Sequence, residues 1–398
     1  MIAVTPIVHG ARCEAPAAVG LSLAFHCGSN EPGGLSAAPH GKGENSMARS
    51  YFALTLSLSL AACGVDSQLD VGADEALATT QATLTYSGAD SQFAGGFSPS
   101  NAPYGGFGGA ANCTVTRTPV IFVPGNGDDA RNFDFPSSTG GASVYAALKA
   151  AGYKDCELFG INWLSASERQ SPTLNYHTYT KADRVRDFIV DVKAYTGASQ
   201  VDVIGHSMGV SVALHALERF SLQSSLRRFI AISGAMRGLT VCNAVGYANP
   251  YYPTCGSQNF YDSDIFGFYP SMNARMQNNG FRDSPSRFTN SRFYSIRADD
   301  HDGFACPTNA FTSTCGDTGL FDARSNVISQ LDVGFGSTSL DVDFDWTDYS
   351  PYVAGAGDID GVGHFRAKNN TGAIQVNMLT GTCSGTGCCS GYSATCGL

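Results

Sequence analysis

The stretch Val201–Phe220, VDVIGHSMGVSVALHALERF, constrains the fold more than any other part of the chain. Val201, Val203 and Ile204 have the β-branched character of a short buried strand. Val212, Leu214, Ala216 and Leu217 belong to a helical stretch. Between them, Gly205-His206-Ser207-Met208-Gly209 must turn the chain from strand to helix within a few residues. A G-x-S-x-G turn in that setting puts its serine on a strained corner with Oγ exposed. Glycine at both ends follows from sterics, because a side chain there collides with the neighbouring strand or helix.

The rest of the chain repeats the same alternation. Apolar runs at Pro119–Val123, Cys156–Ile161, Val201–Ile204, Phe229–Ile232 and Phe293–Ile296 are separated by helical patterns. In the clearest of these, Thr180–Tyr195, residues Ala182, Val185, Phe188, Ile189, Val192 and Tyr195 recur at helical spacing. Thr180 with Asp183 resembles a capping box there, and Gly197 supplies a stop. Strands alternating with helices predict an α/β fold, a mostly parallel central sheet covered on both faces. A chain of 398 residues, 43% hydrophobic, has ample material for such a core. Its net charge of −10 and scattered basic residues argue against nucleic acid as a partner.

Upstream of the α/β pattern the chain reads as an export signal. Met47-Ala48-Arg49-Ser50 gives a short positive region, and Tyr51–Ala62 (YFALTLSLSLAA) an apolar run too short to span a bilayer. It ends in Leu60-Ala61-Ala62-Cys63, which resembles a bacterial lipobox, a signal in which the cysteine becomes the lipidated first residue. Residues 1–46 have no hydrophobic periodicity and are expected to be non-coding or disordered, with 47–62 as the signal peptide. The Gly/Ala/Ser/Thr-rich segment 63–91 reads as a flexible tether, and 92–398 as a single catalytic-type domain. Expected localisation is therefore outside the cytoplasm, secreted or lipid-anchored at the cell envelope.

Cysteine usage agrees with export. Beyond Cys13, Cys27 and Cys63, the chain has Cys113, Cys156, Cys242, Cys255, Cys306, Cys315, Cys383, Cys388, Cys389 and Cys396, an even set that argues for disulfides. Spacing points to local loops 242–255, 306–315 and 383–388, and to a 113–156 bridge joining the starts of two early strands. No C-x-x-C pair has a C-x-x-C or H-x-x-H partner, so zinc is not expected.

A serine nucleophile needs a base and an acid to orient it, in the chain order Ser, Asp/Glu, His when a G-x-S-x-G elbow carries the serine. Of the eight histidines, only His301 and His364 follow the elbow and its helix. His364 stands in the Gly-rich loop DGVGHF before the helical TGAIQVNML, a loop able to present an imidazole at a sheet edge. For the acid, RADDHDG after the Phe293–Ile296 run offers Asp299, Asp300 and Asp302, and the residues alone leave these open. The acidic run DVDFDWTD (Asp341, Asp343, Asp345, Asp348) reads as one polar face of a strand. Backbone N–H donors for a developing oxyanion are expected at Met208, after the nucleophile, and at Asn126 in the turn Pro124-Gly125-Asn126-Gly127.

The segments QFAGGFSPSNAPYGGFGG, TPVIFVPGNGD, GHSMG, YANPYYPTCGSQN, RFYSIRADDHDGFAC and GVGHFRAKNNTGAI together resemble an extracellular poly(3-hydroxybutyrate) depolymerase of the type acting on amorphous storage granules. That family is an α/β-hydrolase without a separate substrate-binding domain, and it is similar to small bacterial lipases. The resemblance runs from about Gln92 nearly to the C-terminus and includes the four disulfide pairs above. It implies Ser207 as nucleophile, His364 as base, Asp302 as acid, and Asn126 and Met208 as oxyanion donors. It implies a monomer acting on a polyester or lipid ester, with no cofactor and no metal. Two departures stand out. The segment Phe266–Arg282, longer and rich in Trp and Tyr in the depolymerase, is short here and lacks Trp, and Pro124 stands where many lipases carry His.

Overall fold

Alternation along the central strands decides the architecture. In β3 (Val120–Val123), β4 (Leu158–Ile161), β5 (Val201–His206), β6 (Leu226–Ile232) and β7 (Arg292–Arg297), apolar residues occupy both phases of the pleat. Ile121, Val123, Phe159, Val203, Phe229 and Phe293 enter one core; Val120, Phe122, Leu158, Ile204, Ile230 and Tyr294 enter another. A strand apolar on both faces needs helices on both. They are α3 (Tyr179–Thr196) and α4 (Met208–Arg219) over the first core, and α1 (Val144–Ala150) and α6 (Gly372–Thr380) over the second. Each fully buried Val, Leu, Ile or Phe contributes about 1.5–3 kcal/mol, so these two layers supply most of the driving force.

The computed structural model describes residues 84, 91–135, 142–171, 174–175, 178–234, 236, 281–298, 302, 319–333, 363–392 and 396–398. All lie in one unit, Asp74–Leu398. Within them the sheet has eight strands in the order β1-β2-β4-β3-β5-β6-β7-β8, with β1 (Ser91–Phe93), β2 (Gly106–Gly108) and β8 (Val327–Asp332) completing it. Every pairing is parallel except β2 with β4. Two short helices, α2 (Ala166–Arg169) and α5 (Arg366–Asn369), lie between the longer ones. This is the parallel α/β sheet expected from the alternation of strands and helices, and the α/β-hydrolase fold that the resemblance implies.

Differences from the sequence reading have local causes. Helix α3 starts at Tyr179 on the side chain of Thr178, which accepts from Lys181 N–H, so the N-terminal cap lies ahead of Thr180. Its stop is as expected: Gly197 is left-handed at φ 69°. Strand β2 has no apolar alternation, because Gly106 lies against β4 and a Cβ there would sit 2.0 Å from the Gly160 carbonyl oxygen. Leu84, within the segment read as a tether, is buried, and its N–H donates to Asp134 Oδ2 at 2.8 Å.

Disulfides form at Cys113–Cys156 and Cys383–Cys388, and Cys389 pairs with Cys396. The first spans 43 residues and ties the approach to β3 to the start of β4; by chain entropy it removes about 4 kcal/mol of freedom from the unfolded state. The other two staple the segment after α6, whose Gly397 pairs with Asp332 at the end of β8. The 242–255 and 306–315 pairs, the signal segment with Cys63, Asp299, Asp300, His301, the DVDFDWTD run and most of Phe266–Arg282 lie outside the described residues. Among the described residues, no group of three or more His, Cys, Asp and Glu could hold a metal ion, and no helix is long and apolar enough to cross a membrane.

Candidate active site

The turn between β5 and α4 is as tight as its sequence requires. Ser207 has φ 53° and ψ −128°, a conformation that side-chain-bearing residues rarely adopt. Its N–H donates to the Ile232 carbonyl at the end of β6 (2.9 Å), which anchors the corner to the sheet. Both glycines are steric necessities. A Cβ on Gly205 would lie 2.9 Å from Val210 Cα, and one on Gly209 would lie 2.3 Å from the carbonyl oxygens of both Val123 and Pro124. Ser207 remains partly exposed, and its side chain makes no capping bond to α4.

The turn after β3 packs directly on this corner. A Cβ on Gly125 would come within 3.0 Å of Ser207 Cβ and of His206 Nδ1. Trp163 Nε1–H donates to the Pro124 carbonyl (2.8 Å), and Asn175 Nδ2–H donates to Asn126 Oδ1 (2.5 Å) and to the Glu168 carbonyl (2.9 Å). Asn126 and Met208 thus sit on two backbones in contact. Met208 is the first residue of α4, where an N–H has no acceptor from its own helix.

His364 Nδ1 and Asp302 Oδ1 are 2.7 Å apart, and both residues are buried. Asp302 follows β7, while His364 precedes α5 after a left-handed Gly363 at φ 98°. The remaining ring nitrogen of His364 is Nε2, the atom a serine hydroxyl requires. The His364 ring reaches the elbow, since it lies 4.8 Å, centroid to centroid, from the ring of His206, the residue preceding Ser207.

Three polar side chains beneath the site were not singled out from the sequence. His206 Nε2 lies 3.0 Å from the His364 carbonyl oxygen, and His206 Nδ1 lies 3.8 Å from Asp128 Oδ2. Lys368 Nζ–H donates to that same oxygen at 2.9 Å, with both side chains fully buried. Burial, with the neighbouring His364 ring and the Lys368 ammonium, pushes the His206 pKa well below its ordinary value. Burial pushes the Asp128 carboxyl up, and Lys368 pulls it back. His206 carried a signal as the inner residue of the elbow; Lys368, in an unremarkable helical stretch, carried none.

Residues 117–280 match the profile of the family Lipase (class 2). Among solved structures, the chain is similar to Aspergillus fumigatus lipase B at 17% identity, over 68% of this chain and 54% of that one, with a TM-score of 0.41. It is similar to the mature Bacillus licheniformis lipase BlEst2 at 13% identity, over 54% and 83% of the two chains, with a TM-score of 0.34. It is also similar to the metagenomic carboxyl esterase MGS0156 at 11% identity, over 46% and 51%, with a TM-score of 0.30. The chain spans about half the length of the Aspergillus lipase structure. No curated protein matches it. The fold is that of an α/β-hydrolase, and its segment 117–280 resembles a class 2 lipase.

Proposed function

We propose that the chain cleaves esters by acyl transfer through Ser207, His364 and Asp302, and that its substrate is the amorphous polyester poly(3-hydroxybutyrate). The observation that carries the mechanism is the buried His364–Asp302 bond beside a strained, partly exposed serine. Asp302 accepts from Nδ1–H and so leaves Nε2 of His364 as the base. His364 takes the Ser207 proton as Oγ attacks the ester carbonyl, then protonates the leaving alkoxide and activates water for deacylation. Backbone N–H groups of Asn126 and Met208 hold the oxyanion, each contributing about 3–4 kcal/mol to the tetrahedral intermediate. The contact between their two segments supports that pairing.

The polyester assignment is supported by the extent of the sequence resemblance. Leu174, 58% exposed beside the Asn175 that bonds Asn126, gives the site's edge apolar character suited to a water-insoluble ester. The class 2 lipase match favours a second reading, hydrolysis of acylglycerols or small esters. A parallel assay separates them: release of 3-hydroxybutyrate from amorphous granules against release of fatty acid from a triacylglycerol emulsion, with the oxidised protein. Granule turnover at least about tenfold above background is expected. Turnover of glyceride alone would replace the polyester with the lipase reading.

The protein is proposed to act outside the cytoplasm as a monomer without cofactor, held to the envelope by a lipid on Cys63. Cys63→Ala is expected to move it from the membrane fraction to the soluble one. An unchanged membrane fraction would remove the anchor from this account.

A further inference from the structure

We propose that the buried array Lys368–Asp128–His206 is a positioning device for His364, fixing the backbone of the base and keeping the neighbouring imidazole neutral. The inference rests on His364 being the base, as above. One carboxylate, Asp128, links the segments that carry the chemistry. It ends the turn bearing Asn126, faces the residue preceding Ser207, and is ion-paired to the helix that follows His364. Its Oδ1 accepts from Asp129 N–H (2.8 Å) and its Oδ2 from Lys368 (2.9 Å), so both oxygens act as acceptors, as an ionised carboxylate requires.

The protonation state of His206 follows from its partners. A carbonyl oxygen only accepts, so the Nε2 that meets the His364 carbonyl carries a hydrogen. Among the described residues, the buried Nδ1 has no hydrogen-bond partner. Asp128 alone would draw a second proton onto it, because an opposite charge within about 4–6 Å favours the charged form. Lys368 cancels that pull by occupying Asp128 Oδ2. Among the described residues, the charged and titratable groups that bear on His206 are Asp128 and Lys368 on one side and His364 on the other, with Asp302 behind His364 and Asp129 beside Asp128. A cationic His206 ring 4.8 Å from His364 would oppose the imidazolium that His364 becomes when it takes the serine proton. The array therefore does two things: Nε2–H of His206 holds the loop of the base, and Lys368 keeps that donor uncharged.

Lys368→Met leaves Asp128 unpaired and is expected to move the acid limb of the kcat/KM profile up by about one pH unit, as His206 gains a proton. Adding Asp128→Asn removes the carboxylate and is expected to return the limb to its original position. An unmoved limb in Lys368→Met overturns the proposal. So does a shifted limb that Asp128→Asn fails to restore in a cooperatively folding protein. A single variant with a buried unpaired charge can fail to fold, so the positioning arm is tested separately. His206→Gln keeps an N–H donor and is expected to retain about tenfold more kcat than His206→Leu, at equal KM. Equal kcat in the two variants overturns the proposal. His364→Ala separates the two levels: activity surviving that change refutes the base assignment itself, whatever the array variants do.

Discussion

Ser207→Ala is expected to lower kcat on any ester the protein hydrolyses by about 10⁴–10⁶-fold, while leaving the fold and KM nearly unchanged. The size of the effect follows from the covalent step. In the proposed mechanism, loss of Oγ leaves His364 no hydroxyl to activate, and only the oxyanion donors and binding would remain to accelerate direct attack by water. The small structural cost follows from the geometry. The Ser207 side chain caps no helix, its N–H bond to Ile232 is a backbone bond, and alanine meets the φ of 53° with the same Cβ as serine. A fluorophosphonate probe that labels the parent and not the variant checks the prediction, alongside turnover and thermal unfolding of both. If the variant kept activity within tenfold of the parent, Ser207 would not be the nucleophile.

Gly209→Ala is expected to act through structure, lowering stability by about 3 kcal/mol or more or preventing soluble expression. The new methyl would lie 2.3 Å from two carbonyl oxygens, those of Val123 and Pro124. Neither can yield easily. Val123 is fully buried in β3, and the Pro124 carbonyl accepts from Trp163 Nε1. Displacing them moves the turn that carries Asn126, so any folded remainder should also lose kcat. Gly197→Ala serves as control: its φ of 69° is unfavourable, yet a Cβ there meets nothing within 4 Å, so the cost should be near 1 kcal/mol. Urea unfolding of both variants reads the difference. Equal, small losses would show that the contact between the elbow and the turn after β3 does not limit stability.

The parts of the fold that were legible were those with strong period and steric punctuation. β3, β4, β5, β6 and β7 each lie on a run read from the sequence, because strands buried on both faces are written as continuous apolar residues. β1 and β2 were not legible. Each has 3 residues, and β2 is glycine-rich because its backbone approaches β4 too closely for side chains. The start of α3 was misplaced because Thr178 and Thr180 are both competent caps, and only the tertiary position of the preceding chain selects between them.

By itself the sequence determined that a strand must turn abruptly into a helix at Ser207, that a parallel sheet needs cover on both faces, and that an even set of cysteines lies beyond Cys63. These are local or periodic demands, written in neighbouring residues. Only the tertiary structure decided that Asp302 meets His364, that the Gly125 turn abuts the elbow, and that Lys368 neutralises Asp128 across 240 residues of chain. The physical reason is burial. A charged or polar group loses its water when the layers close and must find its partner in space. No periodicity along the chain records that partner.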